Sequence, residues 1–184
     1  MITVIAGTNR PHSKTFAVAR LVRSMLVDRG EDVTMLDLAE LPPEIFAGTS
    51  YAVKPNAFAP FQEAILETSG ILTVVPEYNG SFPGVLKYFI DMLRFPESLY
   101  EQPAAFVGIS SGRWGAVRAV EQLEMIFHYR HAHLFGRRVF LSGIGSAIDP
   151  SGQLVEPEPA ARLLTMVGEF ARFCHRLERR EGEV

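Results

Sequence analysis

The sequence predicts an α/β domain, a doubly wound sheet of five parallel strands in the order 2-1-3-4-5 with helices on both faces. Three observations predict it. Short β-branched runs alternate with longer helical stripes along the whole chain. The run Ile71-Leu72-Thr73-Val74-Val75 is almost wholly apolar, as a strand covered on both faces must be. No repeat, low-complexity segment or composition shift divides the 184 residues, so 1–184 reads as one domain with room for a sizeable core.

The elements follow in order. Ile2 to Ala6 reads as the first strand, and Val18, Leu21, Val22, Met25 and Leu26 stripe the first helix, which Gly30 closes. Asp32 to Leu38 is the second strand. A long connection from about Ala39 to Asn56 follows, carrying Pro42, Pro43, Gly48 and Pro55. Two readings stay open for it: a lid or binding loop, or a helical turn in a solvated loop. The second helix runs from about Ala57 to Thr68. After the third strand, Leu86, Phe89, Ile90 and Leu93 recur at helical spacing. Ala104 to Ser110 is the fourth strand, and Ala116, Ala119, Val120, Leu123 and Phe127 stripe the next helix. Arg138 to Leu141 offers a fifth strand. Ala160, Leu163, Leu164, Val167, Phe170 and Cys174 line one face of the last helix. This is the flavodoxin-like arrangement.

In such a sheet the loops after strands one, three and four emerge together at the topological switch point, where ligands bind. All three are unusual here. The loop Pro76-Glu77-Tyr78-Asn79-Gly80-Ser81-Phe82-Pro83-Gly84 sets an acid, a phenol, an amide and a hydroxyl at the carboxyl end of a buried strand. Helix capping, with Ser81 as N-cap and Pro83 in the first turn, accounts for those two residues but not for Glu77, Tyr78 and Asn79. The loop Gly7 to Thr15 holds three hydroxyls, Arg10 and Lys14 ahead of a helix N-terminus, the makings of an anion site. It lacks both the G-x-G-x-x-G and the P-loop spacing, which points to a mononucleotide phosphate. Ser13 as a plain helix cap is the competing reading. The third loop, Ser110-Ser111-Gly112-Arg113-Trp114, offers backbone donors and acceptors for the edge of a flat ligand. Trp114 reads equally as a packing or interface residue.

On these motifs the chain resembles the NADPH-dependent FMN reductases of flavodoxin-like fold, a group that includes quinone, azo-dye and chromate reductases. The residues that carry the resemblance are Gly7-Thr8-x-Arg10-x-x-Ser13-x-Thr15, Pro76 to Ser81 with Pro83-Gly84-x-Leu86-Lys87 and Ile90-Asp91, and Ser111-Gly112 with Gly115 and Arg118-Ala119. The resemblance covers nearly the whole chain, and its second motif is the specific one. It implies FMN as cofactor, with the phosphate at Thr8, Arg10, Ser13 and Thr15 and the ring along Pro76, Glu77, Tyr78, Asn79, Gly80 and Ser81 and beside Ser111 and Gly112. Lys14, Ser110 and Arg113 complete the set of expected cofactor contacts. The resemblance also implies NADPH or NADH as hydride donor, a small electron acceptor (quinone, azo compound, metal oxyanion or free flavin) and a homodimer or homotetramer. The family usually has serine at Thr8, asparagine at Thr15, and asparagine and tryptophan at Tyr88 and Met92. The first two changes keep a hydroxyl; the last two bear on substrate access or subunit contacts.

With a flavin carrying the redox chemistry, no side chain is required as acid or base, and no catalytic residue is assigned. Glu77 and Tyr78 are read as hydrogen-bonding or subunit-contact residues, and Lys87 with Asp91 as an i, i+4 surface pair. An electron carrier or redox-sensing module without its own nicotinamide reaction is the alternative. A net charge of −3, from 18 basic and 21 acidic residues, disfavours a carrier that docks by charge and gives no basic field for nucleic acid or an anionic membrane. His128, His131 and His133 cluster without a carboxylate or cysteine nearby in sequence, so no metal site is expected. Cys174 is read as a buried, inert thiol. No run approaches the roughly 20 apolar residues of a membrane span, and the chain opens on strand residues rather than a signal segment, so a cytoplasmic protein is expected.

Overall fold

The computed structural model describes residues 1–181. Its parallel sheet runs β2-β1-β3-β4 and ends in an edge position shared by two short segments, β5 and β6. The strands are β1 Ile2–Ala6, β2 Val33–Asp37, β3 Gly70–Pro76, β4 Pro103–Ile109, β5 His133–Leu134 and β6 Val139–Leu141. The helices are α1 Lys14–Val27, α2 Ala59–Leu66, α3 Gly84–Met92, α4 Val117–Tyr129, α5 Ile144–Ala147 and α6 Pro157–Glu181. The strand order is the one expected from sequence. Three of the expected details are corrected.

The fifth strand is broken. His133 and Leu134 pair with Pro103 and Ala104, and Val139 to Leu141 pair with Val107 to Ile109, so the chain leaves the edge between Phe135 and Arg138. An edge strand needs a partner on one side only, which lets the chain depart and return without orphaning a central ladder. Ser81 does not cap α3: the helix begins at Gly84 with Pro83 in the capping position and no side-chain cap bond. The connection after β2 is neither bare loop nor single turn. It is a chain of 3-10 turns at Leu38–Glu40, Pro43–Phe46, Gly48–Tyr51 and Asn56–Phe58.

Two apolar layers flank the sheet. Leu38, Ile45, Phe58, Ile65, Phe89 and Leu123 anchor the layer under α2, α3 and α4; Val18, Val22, Leu26, Leu163, Val167 and Phe170 anchor the layer under α1 and α6. β3 and β4 are buried along their whole length, as their continuous apolar sequences require. Gly70 lies against Cys174 and Phe170, where a Cβ would collide with the Cys174 sulfur. Burial pushes the Cys174 thiol up to about 12, so it stays a protonated core side chain, as expected from sequence. No helix among the described residues is long and apolar enough to cross a membrane. Parallel register then sets the carboxyl ends side by side: Ala6 opposite Val74, and Pro76 opposite Ile109.

Candidate functional site

The chain after β1 turns at once. Gly7 N–H donates to the Val74 carbonyl at 3.0 Å, and a Cβ on Gly7 would lie 2.7 Å from that oxygen, so only glycine lets the loop cross β3 this closely. Thr8 is buried, and its hydroxyl meets the Tyr78 hydroxyl at 2.9 Å while accepting from the Arg10 N–H at 3.3 Å. Thr8 thereby fastens the first loop to the second. Ser13 is the N-cap of α1, its Oγ accepting from the Phe16 N–H at 3.1 Å. The capping reading of Ser13 is therefore met, and the residue also faces the cavity described below. No acidic residue stands in the first turn of α1, so its positive end is left for an external anion.

The second loop is a tight hairpin-like turn. Asn79 and Gly80 take φ of 53° and 78°, and Tyr78 and Ser81 exchange backbone hydrogen bonds at 2.8 and 3.1 Å, the pattern that favours Asn-Gly. The Ser81 hydroxyl donates to Gln122 Oε1 at 2.6 Å, and Gln122 Nε2 donates to the Gly80 carbonyl at 3.2 Å. α4 therefore clamps the turn from below. Glu77 N–H donates to the Ile109 carbonyl at 3.1 Å, and Arg118 reaches Glu77 Oε1 at 3.3 Å. Glu77 Oε2 is buried with no partner, an acceptor that the described residues leave unmatched at the cavity wall.

The third loop depends on a close stack. A Cβ on Gly108 would collide with the Gly115 carbonyl oxygen, and one on Gly115 (φ 59°) would lie 2.8 Å from Phe140 Cβ. These glycines let β6 lie against the turn. Ser110 N–H donates to the Leu141 carbonyl, Ile144 N–H to the Ser110 carbonyl, and Ser110 Oγ to the Gly112 carbonyl. Trp114 is 59% exposed, so it is not a core residue. The Arg113 guanidinium lies 5.7 Å from its ring centroid, and neither residue lines the cavity.

The three loops enclose a cavity of about 320 Å³, within the range of small-molecule sites. Arg10, Ser13, Lys14 and Thr15 form its helix-side wall; Pro76, Glu77, Tyr78, Ser110 and Ser111 form the strand-side wall. Thr8, Gly80, Ser81 and Gly112 stand behind these walls, in the bonds that shape them, and Asn79 holds a left-handed position of the second loop's turn. Sequence reasoning did not include His12, Ile144 and Gly145, which also line the space. The signal for the last two was the Gly143-Ile144-Gly145-Ser146 run after the fifth strand; Gly143 takes φ of 59° there. The residues present fit a flavin mononucleotide: the first loop brings cations and free helix-end N–H groups for a phosphate, and the second and third bring backbone edges and the open Glu77 acceptor.

Comparison with known proteins decides the class. The family model for NADPH-dependent FMN reductases matches residues 1–146. The chain belongs to that family. It is accordingly a flavin oxidoreductase that uses FMN and takes its electrons from NAD(P)H. An NAD(P)H-dependent FMN reductase of Pseudomonas aeruginosa is 33% identical over 135 residues, 71% of this chain and 72% of the relative. A 2-hydroxy-1,4-benzoquinone reductase of a Burkholderia species is 28% identical, covering 92% of this chain and 93% of the relative. Among solved structures, the NAD(P)H:(acceptor) oxidoreductase FerB of Paracoccus denitrificans superposes with a TM-score of 0.81 at 21% identity, covering 95% of this chain and 97% of that one, which confirms the fold.

Tyr88 and Met92, two positions at which the sequence is expected to depart from its family, have definite local contacts. Met92 is fully buried in the layer under α2, α3 and α4. The Tyr88 hydroxyl donates to the Ile45 carbonyl at 2.7 Å, and its ring packs 5.1 Å from Phe46 and 6.1 Å from Tyr51. Burial, with Tyr51 beside it, holds the Tyr88 phenol above its ordinary pKa. Tyr88 thus tethers the connection after β2 to α3. Lys87 and Asp91 form the expected i, i+4 pair at 2.6 Å. No group of three metal-ligating side chains occurs among the described residues.

Proposed function

We propose that this flavin oxidoreductase reduces small quinones, with FMN seated in the cavity between the first, second and third loops. The observation that carries the reading is what converges on that cavity: Arg10, Lys14 and the α1 N-terminus from the first loop, Glu77 and Tyr78 from the second, and Ser110 and Ser111 from the third. When bound, FMN supplies the redox chemistry, accepting a hydride from the nicotinamide and passing electrons to the acceptor. The chain's residues supply position. Arg10, Ser13, Lys14 and Thr15 hold the phosphate, with Thr8 fixing the loop from behind. Pro76 to Ser81, Ser110, Ser111 and Gly112 present the ring edge with backbone groups, while Arg113 lies outside the cavity wall, beside the Trp114 ring. The Thr8–Tyr78 and Ser81–Gln122 bonds set these walls before any ligand arrives, so little ordering cost is left for binding. A quinone is favoured over other acceptors by the benzoquinone reductase relative, which matches along nearly its whole length. A nicotinamide-supplied, reducing compartment, the cytoplasm, suits this reaction.

The reading includes a homo-oligomer, a dimer or tetramer. A roomier concavity than the loop cavity, about 740 Å³, is a groove between α3 and α4 lined by Phe82, Ile90, Phe95, Met125 and Tyr129, with Lys87, Asp91, Gln122 and Arg130 also in its wall. Phe95, Met125 and Tyr129 are 66%, 64% and 72% exposed, an apolar patch of the kind that marks an interface between copies. Anaerobic reduction by NADPH or NADH followed by stopped-flow mixing with 1,4-benzoquinone, an azo dye, chromate and free FMN tests the acceptor. Reoxidation fastest with the quinone supports it; quinone slower than another acceptor overturns it.

A further inference from the structure

The turn from Tyr78 to Ser81 has two faces. Tyr78 lines the loop cavity, whereas Phe82, the residue after Ser81, lines the groove between α3 and α4. Gln122 of α4 joins them. It stands in the groove wall, and its amide holds the turn, accepting from the Ser81 hydroxyl at 2.6 Å and donating to the Gly80 carbonyl at 3.2 Å. Among the described residues no other side chain bonds to Gly80 or Ser81. Gln122, Gly80, Ser81 and Phe82 are all half-buried, so water in an open groove competes for the amide. An apolar surface laid over the groove expels that water, and the same bonds gain strength in the lower dielectric.

We infer that Gln122 is a positioning residue of the flavin loop, and that through it FMN binding and self-association across the α3–α4 groove strengthen each other. This rests on the proposed seat of FMN and on the proposed interface between copies. A second copy is the occupant because the rim of the groove is complementary to itself: Lys87 and Asp91, one charge of each sign, stand 2.6 Å apart beside the exposed Phe95, Met125 and Tyr129. The one further charge, Arg130, is buried and bonded to the Arg94 carbonyl. A two-fold axis can set the cation of one copy against the anion of the other, whereas a strongly acidic or basic partner meets one attraction and one repulsion. A covered groove fixes Gly80 and Ser81, and with them Tyr78, whose backbone N–H and carbonyl are bonded to Ser81. A turn fixed beforehand costs FMN less ordering, and bound FMN returns the same advantage to the second copy.

The test pairs analytical ultracentrifugation of the apoprotein and the FMN-loaded protein with flavin-fluorescence titration at protein concentrations below and above the association range. Where the wild type is associated throughout, Met125→Glu supplies the monomer. The expected result is FMN bound about fivefold more tightly by the associated protein than by the monomer, and self-association strengthened by that factor for each FMN bound. Gln122→Leu keeps an apolar group in the groove wall, and Ser81→Ala leaves the groove lining untouched. Both should bring the factor close to one while still associating. Thermal unfolding confirms that each folds, and Ser81→Ala decides alone if Gln122→Leu does not. Equal FMN affinity in the two wild-type states overturns the coupling, and a factor undiminished in the variants overturns the part of Gln122. A wild type at monomer mass with and without FMN instead overturns the interface, and one that binds no FMN overturns the seat, each taking this inference with it.

Discussion

Two concavities of this molecule differ in nearly every respect. The loop cavity is the smaller, about 320 Å³ against 740 Å³, and is walled by cations, hydroxyls and backbone groups held by bonds from several elements. The α3–α4 groove is roomier and mostly apolar, with Phe95, Met125 and Tyr129 standing open to solvent and its exposed charges, Lys87 and Asp91, spent on each other. Its one buried charge, Arg130, is already engaged with the Arg94 carbonyl at 2.8 Å and lies over the Phe95 ring. Size therefore does not locate the chemistry. Polar groups that converge unpaired on one space suit a small ligand, whereas exposed apolar area whose charges are already engaged suits a second protein surface.

The sharpest way to break this contrast is to remove a cation from the loop. Arg10→Ala should weaken FMN about ten- to a hundredfold, the worth of a charge-assisted bond, and leave riboflavin nearly unchanged; fluorescence titration reads both. The converse change belongs to the groove. Met125→Glu sets a charge in the apolar patch and should shift the protein towards its 20.4 kDa monomer in analytical ultracentrifugation, with a smaller effect on FMN than Arg10→Ala. An unchanged mass would remove the groove from the oligomer account.

Smaller effects separate the walls from what stands behind them. Thr8→Val deletes the bond to the Tyr78 hydroxyl without opening space, and should cost about 1 kcal/mol in stability by denaturant unfolding and a severalfold loss of FMN affinity. His175 serves as a control far from both regions. It is held above its ordinary pKa by a hydrogen bond to Glu31, at 2.9 Å, and by Glu178. A raised folded pKa gives stability that is present below the ordinary histidine value and lost as pH rises through the folded one. The melting temperature should fall slightly from pH 6 to pH 8.5, and Glu31→Gln should flatten that change without moving flavin affinity.

The contrast also separates what the sequence shows from what it hides. Ile71 to Val75 is legible because burial on both faces is a local demand with a local residue preference; the Asn79-Gly80 turn carries a comparable preference for left-handed geometry, but the helix-start reading of Ser81 and Pro83 covers it. The roles of Ser81 and Tyr88 are not legible. Ser81 looks like a helix cap until Gln122, 41 positions away, takes its hydroxyl, and Tyr88 binds a carbonyl 43 positions back. The broken edge escapes notice because Val139 to Leu141 and His133-Leu134 are too short to carry a period of their own; β4 decides their pairing. His12 passed unnoticed because a solvated histidine beside a proline has no periodic or spacing signal. Only the cavity gives it a neighbourhood.

The central claim is the seat of the flavin, and a crystal structure of the FMN complex tests it most directly. The account predicts the phosphate at the α1 N-terminus between Arg10 and Lys14, with the ring against Pro76 to Ser81. Flavin density in the α3–α4 groove, or with its phosphate away from the first loop, would contradict it.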